Sequence, residues 1–96
     1  MNRTTVRLME EDTNMALYYL SYDLRKNKDY QSLFEELKRF GAVRILKSEW
    51  CFNCTNTSVA SLREHFRGFI DHDDGLSIAE VTYWATYNTE GSPNEL

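Results

Sequence analysis

Ala16-Leu17-Tyr18-Tyr19-Leu20-Ser21-Tyr22-Asp23 is the stretch that decides the fold. Both alternating sets of side chains in it are dominated by aliphatic and aromatic groups. A strand with that pattern needs cover on both sides, so its expected place is central in a sheet. Asp23 ends it, and the polar residues Arg25 to Lys28 lead the chain away.

Downstream the period changes from two to 3.6. Tyr30, Leu33, Phe34, Leu37 and Phe40 fall on one helical face. Asp29 stands ahead of them, where its carboxylate can accept from an N–H two or three residues on. Gly41 closes the helix by allowing positive φ. Ala42 to Lys47 then reads as a second strand with Val43 and Ile45 on one face, and Trp50 to Cys54 as a third. In the third, Trp50, Phe52 and Cys54 alternate against Cys51 and Asn53, and Ser48-Glu49 makes a short connection to it. Ser58 is a cap for a second helix, whose apolar face is Val59, Leu62, Phe66, Phe69 and Ile70. Asp71-His72-Asp73-Asp74-Gly75 breaks that helix, and a fourth strand runs from Leu76 to about Val81. Thr82 to Tyr87 is β-prone, either as a bent continuation or as an extra C-terminal strand.

The order is βαββαβ, an α+β protein. Two right-handed β-α-β units interleave into the ferredoxin-like plan, an antiparallel sheet of order 4-1-3-2 with two helices on one face. One domain is expected over residues 15–88. Residues 1–14, polar and without a clear period, read as a flexible leader; residues 89–96, with Gly91, Ser92 and Pro93, read as a disordered tail.

A chain of 96 residues makes one small core, and a domain of that size is marginal alone. Aromatic residues make up 14% of it, more than a private core needs, so a homodimer is expected. There is no run of 18 apolar residues and no secretory signal, which gives no membrane association and a cytoplasmic location as the default. The net charge of −4 argues against a constitutive nucleic-acid binder, but its distribution is uneven. Between Arg25 and Lys47 seven basic residues face only Asp29, Glu35 and Glu36, a local charge of +4.

The topology brings distant carboxylates together. The end of the first strand lies beside the start of the fourth, so Asp23 is expected at one rim with the acidic turn that holds Asp73 and Asp74. Glu49 lies at the same end. Carboxylate oxygens suit Mg²⁺ or Mn²⁺, and such an ion polarises a phosphoryl oxygen. Arg25, Lys26 and Lys28 emerge at the same rim, and with Lys47 they form a candidate grip for a nucleic-acid backbone. The same acidic residues also read as an ordinary solvated turn, and Asp23 as an Asx-type loop cap. Tyr18, Tyr19, Tyr22, Tyr83, Trp84 and Tyr87 form an aromatic set without interleaved cations. Dimer packing suits it better than base stacking, with Tyr19, Tyr83, Trp84 and Tyr87 as interface candidates.

Cys51-Phe52-Asn53-Cys54 has C-x-x-C spacing, but a strand points these thiols to opposite faces. His65 and His72 are also badly spaced for zinc, so two free thiols are expected. His65 reads as a boundary histidine. No phosphate-binding glycine loop or nucleophile elbow is present.

The strand ending Tyr22-Asp23-Leu24, the lysine-rich residues after it, the amphipathic helix ending at Gly41 and the segment Arg44 to Phe52 together resemble the CRISPR-associated Cas-two family. The likeness is closer to its orphan members outside CRISPR systems and extends more distantly to VapD-type ribonuclease toxins. It covers residues 16 to about 82. The resemblance implies a ferredoxin-like homodimer, with Asp23 as the strand-end aspartate that holds a divalent metal with its counterpart across the dimer. It also implies a last strand that crosses to the partner, here Thr82 to Tyr87. The sequence departs from the family in its thin arginine content at the first helix and in Cys51, where a glutamate is usual. Two functions follow: a metal-dependent endonuclease acting on RNA or DNA, or a non-catalytic dimeric scaffold that binds another protein.

Overall fold

The computed structural model describes residues 15–96. The leader expected over residues 1–14 lies outside them. Four strands, β1 (Met15–Asp23), β2 (Val43–Leu46), β3 (Glu49–Thr55) and β4 (Gly75–Val81), form one antiparallel sheet of order β2-β3-β1-β4. This is the expected order read from the opposite edge. Two helices, α1 (Gln31–Arg39) and α2 (Val59–Arg67), complete an α+β architecture compatible with the ferredoxin-like plan.

Register explains the core. Tyr18 pairs with Phe52, and Leu20 with Trp50 and Ile78, so the even-numbered side chains of β1 share a layer with both neighbouring strands. Leu33 and Leu37 of α1 and Leu62 and Phe66 of α2 close that layer from above, all of them buried. Phe40, just past α1, lies 5.2 Å from Phe52 and 5.1 Å from Phe66, which joins both helices to the sheet through aromatic contacts. Tyr18 and Tyr22 of the aromatic set therefore belong to this core, apart from the four interface candidates. The two-residue period of the strand leaves only Tyr19 of the three on the other face.

Polar groups pin the layer. The Tyr22 hydroxyl donates to the Lys47 carbonyl at 3.2 Å and accepts from Trp50 Nε1 at 3.1 Å, while Arg44 lies over the rings of Phe34 and Trp50. Between the helices, the buried Glu36 carboxylate accepts two hydrogen bonds from Arg39, at 2.9 and 2.6 Å, and meets His65 Nε2 at 2.6 Å. Arg39 above all, with His65, holds Glu36 down at about 2 against the opposing effect of burial.

Helix boundaries follow their caps. Ser58 Oγ accepts from the Ser61 N–H at 3.1 Å, as expected of the α2 cap. The Asp29 carboxylate accepts from the Gln31 N–H at 3.2 Å, but Tyr30 takes the cap position with φ 49°. α1 thus starts one residue later than its apolar pattern.

The chain after β4 differs most from expectation. Thr82 to Tyr87 forms no strand. Residues 90–96, expected as a disordered tail, pack on the sheet: the Glu90 N–H donates to the Ile45 carbonyl at 2.8 Å, and Pro93–Glu95 forms a 3₁₀ turn. Ser92 and Glu95 complete a reciprocal capping box there. Gly91 and Pro93, which read as breakers, serve instead for close approach and a fixed turn.

Candidate functional site

Asp23 and Gly75 are register partners, so the loop after β1 and the turn before β4 begin side by side. Asp74 organises the turn. Its Oδ2 accepts from the Asp71 N–H at 2.8 Å, and its own N–H donates to the Asp71 carbonyl at 3.0 Å. Its Oδ1 accepts from the Arg25 N–H at 2.7 Å and from the Tyr30 hydroxyl at 2.9 Å. The Tyr30 hydroxyl in turn accepts from the Lys26 N–H at 3.1 Å. Burial pushes the Asp74 carboxyl up, but the hydrogen bonds from Arg25, Asp71 and Tyr30 outweigh it and hold it below the usual range. Burial raises the Tyr30 hydroxyl.

The expected convergence of acids and bases is present, with one consequence that the sequence did not reveal: the two sets neutralise each other. Arg25 Nε contacts Asp23 Oδ2 at 3.2 Å, and its Nη1 donates to the Asp73 carbonyl at 2.7 Å. Lys26 pairs with Asp73 at 3.1 Å and Lys28 with Asp71 at 3.0 Å. Each lysine is raised by its aspartate, and Lys26 lowers Asp73. Exposed pairs of this kind contribute only ~0–1 kcal/mol each, so a stronger ligand can exchange them. Lys47 is exposed on the hairpin turn at the same end of the sheet.

Asp71, Asp73 and Asp74 each offer a carboxylate oxygen, and these atoms lie within 4.8 Å of one another. Asp73 and Asp74 were expected to share an ion with Asp23. The structure groups them with Asp71 instead, and Asp23 lies outside that group, tied to it through Arg25. An all-oxygen donor set fits a hard divalent cation such as Mg²⁺ or Mn²⁺. Glu49, at the same end, is engaged by Ser21 Oγ at 2.7 Å. One member escaped sequence reasoning, and another was seen in the acidic turn without being singled out as a ligand. Tyr30 read only as an apolar helix residue, and nothing local marks its hydroxyl. Asp71 was visible in the acidic run, and its spacing of three from Asp74 is the usual signature of a tight turn.

The four interface candidates are not held together. Tyr19 is half-buried in the sheet, opposite Cys51 and Ala79. Tyr83 and Tyr87 are each 91% exposed on the irregular stretch after β4, where Trp84 lines a shallow groove with Leu17, Asn53 and Pro93. Cys51 and Cys54 are free thiols on opposite faces. Among the described residues no helix is long and apolar enough to cross a membrane. No protein-family model matches the chain.

Proposed function

We propose that the protein is a Cas-two-like, ferredoxin-fold homodimer whose β1–β4 rim binds and cleaves a phosphodiester of RNA or DNA with Mg²⁺ or Mn²⁺. The observation that carries this reading is the interleaving of three carboxylates within 4.8 Å of one another with Arg25, Lys26 and Lys28. The four aspartates and three cations of the rim sum to −1, which disfavours phosphate entry until a divalent cation reverses the sign. Asp71, Asp73 and Asp74 would hold that ion, which supplies Lewis acidity toward a phosphoryl oxygen and a more acidic water. Lys26 and Lys28, exchanged from Asp73 and Asp71, then turn to the phosphate backbone, and Lys47 extends the track. Asp23, exposed and paired with Arg25, is the catalytic carboxylate that takes a proton from the attacking water.

The pairing of all three loop cations favours a second reading, a non-catalytic dimeric scaffold whose aromatic sheet and acidic rim bind another protein. One experiment separates the two. Purified protein and Asp23→Ala are incubated with labelled RNA and DNA in Mg²⁺, Mn²⁺ or EDTA. Metal-dependent cleavage that disappears in the variant supports the nuclease. Absent cleavage, or equal cleavage by the variant, overturns it in favour of the scaffold.

A further inference from the structure

The helix-free face of the sheet is half covered by the chain itself. On that face Val43 of β2 pairs with Cys51 of β3, and Ile45 and Cys51 are 2% and 0% exposed, although neither belongs to the core beneath the helices. Residues 90–96 bury them. Glu90 is bonded to the Ile45 carbonyl, and Pro93 is buried. Gly91 sits so close that a β-carbon there would lie 2.7 Å from both the Arg44 carbonyl oxygen and Val43 Cγ1. Burial pushes the Cys51 thiol up to about 11, with Glu95 adding to the effect.

The attachment is slight compared with what it covers. Residues 82–88, which lead to it, are exposed and contain no helix or strand. The latch is one backbone hydrogen bond to the sheet, the Gly91 contact and a three-residue 3₁₀ turn whose buried Pro93, with Leu96, borders a groove on Leu17 and Asn53. A segment held by so few contacts opens at a lower free energy than the sheet unfolds.

We propose that residues 90–96 are a lid, latched in cis at Gly91, that opens without unfolding of the sheet and uncovers Val43, Ile45 and Cys51. The lid's regulatory role rests on the homodimer reading above. The uncovered surface is continuous with Tyr19, which pairs with Cys51, so a second copy of the chain docking face to face competes with the lid. Association is then limited by lid opening.

Cys51 reports on the lid directly. The full-length protein is labelled with a thiol reagent, and Cys51 is resolved from Cys54 by peptide mass, in increasing urea below the unfolding transition. Lid opening predicts a Cys51 rate that barely depends on urea, because little surface is exposed. Gly91→Val, which forces a side chain into the latch, is expected to raise that rate about tenfold or more and to raise the dimer fraction in sedimentation. A Cys51 rate with the urea dependence of global unfolding, unchanged by Gly91→Val, overturns the lid. Faster labelling without any dimer keeps the lid and removes the face-to-face partner. If Gly91→Val does not fold by circular dichroism, the urea dependence of the parent protein decides alone.

Discussion

The Tyr30 hydroxyl donates to Asp74 Oδ1 over 2.9 Å, from a residue whose backbone sits at φ 49°. A bulky side chain rarely adopts that left-handed geometry, which costs on the order of 1 kcal/mol or more. The side chain offsets it: the ring is buried in the core, and the hydroxyl joins the loop after β1 to the turn before β4.

Tyr30→Phe keeps the ring and removes the joint. A lost hydrogen bond to a carboxylate costs about 1–3 kcal/mol, so the urea midpoint is expected to fall without a change in slope. An unchanged midpoint would show that the two loops are held by their ion pairs instead.

Asp23 is expected to affect function without stability, and Asp74 to affect both. Asp23→Ala removes an exposed side chain and should alter stability by only about 0.5 kcal/mol while abolishing metal-dependent cleavage. Asp74→Ala leaves the Arg25 and Asp71 N–H groups and the Tyr30 hydroxyl without their acceptor and should cost about 2–3 kcal/mol. Thermal melts beside cleavage assays test both, and equal destabilisation by the two variants contradicts the assignment.

Glu36 governs an acid limb of stability. Its folded-state pKa of about 2 lies below its ordinary value, so its contribution is complete above about pH 4.5 and is lost as pH falls through about 2. Glu36→Gln should flatten that part of the stability profile and cost about 1–3 kcal/mol at neutral pH, since Arg39 and His65 lose a charged acceptor. Urea midpoints at steps between pH 2 and 7 measure both effects, and parallel profiles for parent and variant would refute the claim.

Tyr83→Ser combined with Tyr87→Ser should leave the melting temperature within experimental scatter at concentrations too low for association, because both rings are 91% exposed in the single chain. The same double variant should shift the monomer–dimer equilibrium toward monomer in sedimentation velocity. Unaltered association would remove these rings from the interface.

The sheet was legible because β1 is a short β-prone run that is apolar on both faces, and because 3.6 periodicity in two later segments supplies the helices that cover it. Sequence spacing also brought Asp23 to the acidic turn, since antiparallel pairing of the first and last strands fixes which ends meet. The partition of charge was not legible. Whether Lys26 faces solvent or Asp73 depends on side-chain geometry between loops 47 residues apart, on which local patterning carries no information. The strap over β2 failed for a different reason. Gly91, Ser92 and Pro93 are breakers by composition, and the Ser92/Glu95 capping box that fixes the turn went unread.

Arg25 bonds Asp23 through Nε, the Asp73 carbonyl through Nη1 and Asp74 through its main-chain N–H. The two loops are therefore transplantable only as a pair. A chimera that imported residues 24–30 from another sequence without residues 71–74 would set cations against a turn that no longer answers them. A library that varies both loops together explores a far more foldable space than one that varies either alone.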